Sequence, residues 1–459
     1  MEAITKTLRD SKTARWTALA LVSFTMLCGY YLADVMAPLK PLLEKELLWN
    51  SAEYGIFTSA YGWFNVFLLM LILGGIILDK MGVRFTGKMA TITMIAGTAI
   101  KYWAISTHML DNSVILGIKA QVVIAGLGYA VFGVGVEVAG ISVSKIIVKW
   151  FKGKELALAM GLEMATARLG TALALSTSVP IAAAFGKVSA PVLVCLIMLV
   201  IGMISFLVYT VMDRKLELSE AKEASGDLAE AEESFRVSDI LFIIRNKGWW
   251  LIAILCVLFY SSVFPFLKYA SDLMVNKFGV KESVAGIIPG LLPFGTILLT
   301  PLFGNIYDRK GKGASIMIIG ALLLILVHAL FSVPFLNQTP VAIVLIVILG
   351  IGFSLVPSAM WPSVPKIIPE KQLGTAYALI FWVQNMGLMG VPALIGWVLN
   401  KYCIKGTRLV DGVEVSSYNY TLPMIIFTGF GILALVFALL LKAEDKKKGY
   451  GLELPNIKQ

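Results

Sequence analysis

The sequence predicts an all-α membrane protein: twelve transmembrane helices in two pseudo-symmetric six-helix bundles around a central cavity. Three observations lead there. Apolar runs of roughly 20 residues, enough to cross a ~30 Å hydrocarbon core at 1.5 Å per residue, recur from end to end. The 459 residues are 58% hydrophobic and only 15% charged, where a soluble chain would carry about 25% charged residues. One long polar stretch, Asp213 to Ser238, rich in Glu, Ala and Lys, divides the apolar runs into two equal sets.

Taken in order, the first run (Trp16 to Ala37) lacks a small-residue cleavage site and continues into another hydrophobic segment. It is therefore expected to be a span, 15–37, and not a removable signal. Its outer half holds Tyr30, Tyr31 and Asp34, either interfacial tyrosines or the wall of a cavity. Spans 53–78 and 86–108 flank a basic turn. Span 114–148 carries Glu137 on a face stripped of bulk, Gly133-Val-Gly135-Val-Glu137-Val-Ala-Gly140, and span 155–185 carries Glu163 and Arg168. Small residues are also ordinary at close helix contacts in membranes, so the glycines alone point to no site. Span 189–212 completes an N-terminal bundle, 1–212. A cytoplasmic linker with a surface helix is expected over 213–247, and a C-terminal bundle with a short tail over 248–459. The spans of the latter are 248–276, 283–306, 314–335, 340–363, 372–400 and 421–442. Lys268 and Asp272 in the first of these read as an i,i+4 structural pair. Trp382, Gln384 and Asn385 lie near the middle of span 372–400, where an adjacent Gln-Asn pair needs polar partners and should face the cavity.

Lys and Arg crowd the loops on one side, and an even number of spans puts both ends of the chain there. The positive-inside rule makes that side cytoplasmic, in a multi-pass protein of the cell membrane. The net charge of +10 is thus orientation chemistry, with the lipid bilayer and not nucleic acid as the partner. Cys28, Cys195 and Cys256 fall inside spans and Cys403 is alone in a loop, so no disulfide framework or metal spacing follows. His108 and His328 have no metal-ligand company. No nucleophile–base pair or nucleotide loop appears, and Gly126-x-Gly128 inside a membrane helix is packing. The expectation is a monomeric non-enzyme without metal or cofactor. Two N-x-S/T triplets, at Asn337 and Asn419, fall in outward loops.

The buried charges carry the function. Glu137 lies about 12 residues before the basic turn Lys149–Glu155 and Arg168 about 13 after it, so both sit roughly 16–20 Å from one membrane face. Charges at mid-membrane are costly and by default functional. A guanidinium there is a fork for a carboxylate. Glu137 and Arg168 either form a permanent ion pair or hold a ligand with both charges, which suits a small zwitterion. Glu163 is five residues from Arg168, about 140° away on a helical wheel, and is expected to gate.

An internal repeat coincides with the midpoint. Gly75-Ile-Ile-Leu-Asp79-Lys80-Met-Gly82-Val-Arg84 follows span two, and Gly304-Asn-Ile-Tyr-Asp308-Arg309-Lys-Gly311-Lys312 follows span eight. This pattern resembles the signature of the major facilitator superfamily, and the resemblance covers the whole chain. It implies a conformational latch of the outward-open state, in which Asp79 accepts from a neighbouring helix end and pairs with Arg84, echoed by Asp308 and Arg309.

A narrower resemblance rests on three stretches. They are Lys149-Trp-Phe-Lys-Gly-Lys-Glu155 through Arg168-Leu-Gly170, Gly29-Tyr30-Tyr31 with Asp34, and Gly374-Thr-Ala-Tyr377 through Gln384-Asn385-Met-Gly387. They look like the lysosomal dipeptide uniporter branch. That branch implies a span-four glutamate for the dipeptide amino terminus and a span-five arginine for its carboxylate, here Glu137 and Arg168. Termini without an acidic dileucine signal point away from lysosomal sorting, toward a bacterial or plasma-membrane relative. Span one has no Glu-x-x-Glu-Arg run of the proton-driven oligopeptide family, which favours uniport, although Glu137 could itself carry a proton. The alternatives are a small organic anion, monocarboxylate or amino-acid carrier, proton-coupled through Glu137, and a non-transporting sensor, which would need a soluble domain. Nothing in the sequence bears on an accessory subunit.

Overall fold

The computed structural model describes residues 8–151, 154–223, 237–369, 372–410 and 412–456. The chain opens with α1 (Lys12–Asp34), capped by Ser11, whose hydroxyl accepts from the Ala14 amide. Short helices α2 (Lys40–Glu46), α3 (Ser51–Ser59) and α4 (Trp63–Phe67) follow, the third residue of α3 completing a reciprocal capping box between Asn50 and Glu53. Next come α5 (Met70–Ser106), the small hairpin β1 (Val114–Ile115) and β2 (Ile118–Lys119), α6 (Ala120–Phe151), α7 (Leu156–Phe185) and α8 (Ala190–Glu223). After the midpoint lie α9 (Val237–Ile244), α10 (Lys247–Phe278), α11 (Glu282–Ala285), α12 (Ile287–Lys310), α13 (Gly313–Ser332), α14 (Thr339–Ile367) and α15 (Leu373–Tyr402). The antiparallel hairpin β3 (Ile404–Val410) and β4 (Val413–Tyr418) leads into α16 (Thr421–Lys448).

Among the described residues, ten helices are long and apolar enough to cross a membrane, or eleven when a bent pair is taken as one span. The difference from the expected twelve lies in residues 51–106. The sequence places two spans there, 53–78 and 86–108; the chain forms α3–α4, a 55° bend, and α5, whose 37 residues are two helices joined across a non-helical break at Gly82. The bend falls at Leu69, in left-handed backbone (φ 53°), and Gly82 inside α5 is non-helical (φ 74°, ψ 169°). Gly82 is the glycine of the first repeat, and its positive φ is a conformation that a side chain would resist.

α5 and α6 pack backbone to backbone. A Cβ at Gly135 would stand 2.7 Å from the Met94 amide nitrogen, so only glycine permits the contact. The expected linker boundary at 212 shifts, because α8 continues through Glu223. Its Asp213 and Glu217 both accept from Lys149, and these pairs hold the extension in place. Residues 224–236 of the expected linker lie outside the described residues. Cys403, expected in a loop, caps α15 and is buried.

Both ends of the described chain lie on one face. Residues just after α1 (Lys40, Glu44) meet residues at the end of α10 (Asp272) and just before α16 (Tyr418, Tyr420). The start of α1 and the end of α16 are therefore together on the opposite side, here termed the terminal face. The other is the far face.

Candidate functional site

A cavity of about 300 Å³ lies between helices from the two parts of the chain, with walls from α1, α6, α7, α10, α14 and α15. Its charged lining residues are Asp34, Glu137, Glu163, Arg168 and Lys268, set among tyrosines and other aromatics.

Arg168 comes from α7, which packs against α1 where Gly170 meets the Leu27 carbonyl; a Cβ there would lie 2.5 Å from that oxygen. The close approach brings Tyr30 of α1 beside Arg168. The guanidinium carbon sits 5.9 Å from the Tyr30 ring centroid, 5.3 Å from Phe264 and 5.4 Å from Phe353. Three ring faces thus hold the cation by their quadrupoles while leaving its N–H fork unbonded. Among the described residues no carboxylate lies within ion-pair distance of it.

Glu137 faces the same cavity from α6 and accepts from the Tyr61 hydroxyl at 2.8 Å. Gly133 makes room, since a Cβ there would run into the Tyr61 backbone carbonyl. Asn385 of α15 also bears on the Glu137 carboxylate. The permanent Glu137–Arg168 ion pair, open on the sequence, does not form. The two groups share one chamber and remain separately available.

The other expected residues divide. Tyr30, Asp34, Gln384 and Glu163 line the cavity. Glu163 does so despite its wheel angle from Arg168. Gln384 takes a weak hydrogen bond from the Cys256 thiol at 3.5 Å. Asn385 is fully buried, donates to the Phe381 carbonyl, and leaves its Oδ1 without a partner. Tyr31 and Trp382 are corrections. Tyr31 turns to the α1–α7 contact and shares a 2.5 Å hydrogen bond with Thr177, because neighbouring helical positions point about 100° apart. Trp382 donates to the Val66 carbonyl at 3.1 Å and bonds α15 to the broken stretch at the end of α4.

The Asp79–Arg84 pair, expected for the outward-open state, is not made in this structure, which is closed on the far face. Asp79 pairs with Lys145 of α6 at 3.1 Å, and Arg84 pairs with Glu217 of α8 at 2.5 Å. The reversal at Gly82 between them sends the two side chains to different helices. In the second repeat Asp308 accepts from the Asn456 side-chain amide at 2.8 Å, and Arg309 is exposed with no ion pair among the described residues.

Several cavity residues were missed. Tyr61, Tyr129, Tyr260, Phe264 and Trp361 line it, yet in sequence they are aromatics of apolar runs, indistinguishable from core. Lys268 was seen but paired wrongly. Its ammonium donates to Asp34 at 2.7 Å, the Ala33 carbonyl at 2.6 Å and the Tyr129 hydroxyl at 3.3 Å, so all three protons are used across the two parts of the chain. Among the described residues no cluster of His, Cys, Asp and Glu could hold a metal ion.

Toward the far face the cavity is closed. A Cβ at Gly55 of α3 would lie 2.8 Å from the Pro392 carbonyl and 2.9 Å from the Gly396 Cα of α15, and Gly286 meets the Leu175 carbonyl in the same way.

Comparisons with known proteins agree with this architecture. The family model described as Major Facilitator Superfamily matches residues 19–392 and, overlapping, 271–453. The lysosomal dipeptide transporter MFSD1 of Mus musculus is 26% identical over 428 residues, 90% of this chain and 85% of that protein. Its Homo sapiens counterpart is 27% identical over 399 residues, 84% and 80% of the two chains. In fold, the chain is similar to a bacterial homolog of the human lysosomal transporter Spinster in an inward-facing and unoccupied conformation. The TM-score is 0.71 at 14% identity, covering 95% of this chain and 98% of that one.

Proposed function

The chain belongs to the major facilitator superfamily and is a multi-pass membrane transporter, and from that premise we propose that its cargo is a dipeptide or comparably small zwitterion, carried by alternating access. One observation carries this reading. Glu137 and Arg168 face one cavity as opposite charges without forming an ion pair. A ligand carboxylate takes the open guanidinium fork, and a ligand ammonium takes Glu137, so each buried charge is completed by the cargo. Tyr30, Asp34 and Gln384 complete the wall, with Asn385 against the Glu137 carboxylate behind it.

The cavity's size supports it. About 300 Å³ is at the lower end for ligand sites, and two extended residues span only ~7 Å. The MFSD1 relatives are named as dipeptide transporters, which supports the same cargo class. On this reading residues 1–212 and 248–459 are the two rocking bundles, the terminal face is cytoplasmic in a cell-membrane protein, and transport is uniport by a monomer. The Asp79–Lys145 and Arg84–Glu217 pairs, made here with the far face closed, are released to latch the bundles at the terminal face in the opposite state, with Asp308 and Arg309 as the second copy and Glu163 as a gate.

The test is thermal stabilisation of purified protein by a library of dipeptides and amino acids, followed by uptake into proteoliposomes. Dipeptides with both ends free should stabilise it, and Arg168→Ala should abolish uptake. Unchanged uptake by that variant ends the clamp. A second reading, a small organic anion carrier with Glu137 carrying a proton, is favoured by Lys268 lying in the same cavity as Arg168. Stabilisation by acetate or oxalate and none by dipeptides would select it, as would substrate-dependent acidification of pyranine-loaded vesicles.

A further inference from the structure

Between the cavity and the far face, two layers of ion pairs join the two parts of the chain. The inner is Lys268–Asp34 at 2.7 Å, and the outer is Lys40–Asp272 at 2.9 Å with both side chains fully buried. The outer layer is embedded in a polar shell. Lys40 also pairs with Glu44 at 2.7 Å, Tyr420 donates to Asp272, Tyr418 donates to Glu44, and Asn276 donates to Asp272. Separation of α1–α2 from α10, which opening of the far face requires, breaks both cross-chain pairs at once. Four buried charges with no alternative partner would make that separation prohibitive.

The spacing supplies the alternative. Lys268 and Asp272 are four residues apart on α10, and Lys40 and Glu44 are four apart on α2, the separation at which helical side chains reach each other. We propose that these groups form a partner-exchange gate. With the far face closed, Lys268 and Asp272 pair across to Asp34 and Lys40. With it open, Lys268 pairs with Asp272 along α10 and Lys40 keeps Glu44 along α2. Asp34 is the one carboxylate left without a cation, newly uncovered to the cavity. This mechanism rests on the alternating-access reading and names the residues that make its far-face step inexpensive.

The test measures conformation, not transport, so it fails independently of the cargo. Cysteines replace exposed Ser113 and Asn337, which lie in far-face loops of the two parts of the chain, while the native cysteines are all buried. Spin-label distances are recorded on the full chain in nanodiscs without ligand. Lys40→Met strands Asp272 only while the far face is closed, because Lys268 takes Asp272 once it opens, and should raise the long-distance population by about tenfold, the order of a buried ion pair's bias. The exchange Lys40→Asp with Asp272→Lys restores a cross-chain pair but puts like charges at both four-residue spacings, and should hold the short distance. Glu44→Gln leaves Lys40 its Asp272 partner while the far face is closed but none when it is open, and should lower the long-distance population if the exchanged protein does not fold. Lys40→Met without effect, or Lys40→Met and Glu44→Gln shifting the same way, would overturn the gate.

Discussion

Lys268 and Asp272 stand one helical turn apart on α10, yet each is paired with the other part of the chain, Lys268 with Asp34 and Asp272 with Lys40. The spacing alone predicts an intrahelical pair. Two cross-chain pairs prevail because α1 and α2 bring a carboxylate and an ammonium to the same level with additional hydrogen bonds, which an isolated i,i+4 pair does not have.

The inner pair should behave as a coupled buried unit. Lys268→Met strands Asp34, and Asp34→Asn strands Lys268, each at about 2–5 kcal/mol of stability. The double variant, which strands neither, should lose less than the sum of the two. Chemical or thermal unfolding in detergent provides the cycle. Strict additivity would show that the 2.7 Å contact contributes nothing.

Glu137 and Arg168 should discriminate opposite ends of the cargo. Glu137→Gln should weaken binding of free dipeptides by roughly 10–100-fold, the range of a lost charge-assisted hydrogen bond, and should weaken N-acetylated ones much less. Arg168→Lys should do the converse, weakening free dipeptides but sparing C-terminally amidated ones, because an ammonium lacks the bidentate fork. Competition binding with the three ligand forms checks both. The assignment fails if each variant loses all three forms equally.

Much of this was legible beforehand because intramembrane charge is rare enough to stand out. Glu137 and Arg168 stand out by depth, Asp34 by its tyrosine neighbours and Glu163 as a second charge in its span, and all line the cavity. What escaped was direction. Tyr31 adjoins Tyr30 in sequence but faces Thr177, and Trp382 lies two residues from Gln384 but bonds to Val66. Helix rotation within a bundle is set by packing at glycines such as Gly170 and Gly133, whose contacts belong to other helices and leave no trace in local sequence. The helix count was blurred for a related reason. The bend at Leu69 has no glycine or proline to announce it, and Trp382 of a distant helix bonds the Val66 carbonyl just before it.

Acid should loosen the terminal face through Glu155. A hydrogen bond from its own backbone amide, and after it Arg15 at 2.9 Å, hold this carboxyl below the ordinary range. A carboxylate depressed in the folded state contributes stability that is present above its unfolded value and is lost as pH falls through the folded one. The parent protein should therefore lose melting temperature as pH falls from about 5 to about 3. Glu155→Gln, which has nothing to protonate there, should show a shallower fall. An identical slope in the two proteins would assign the acid sensitivity to other groups.

The far-face seal gives a steric prediction independent of charge. Gly55 of α3 and Gly396 of α15 approach so closely that a Cβ on Gly55 lies 2.9 Å from the Gly396 Cα and one on Gly396 lies 2.7 Å from the Gly55 Cα. Both nearest atoms are backbone, so no side chain can rotate away. Gly55→Val must push the two helices apart. Overpacking of this kind costs about 1–3 kcal/mol, and the cost falls only on the state in which the helices touch. It should thus move the population toward the far-face-open state by roughly 5–150-fold while leaving that state's own packing intact. A cysteine at Thr58, which lines the cavity and is buried when the seal is closed, should then react with an impermeant thiol reagent in the Gly55→Val background and stay protected in the parent. Protection in both would mean that α3 and α15 do not separate during the cycle.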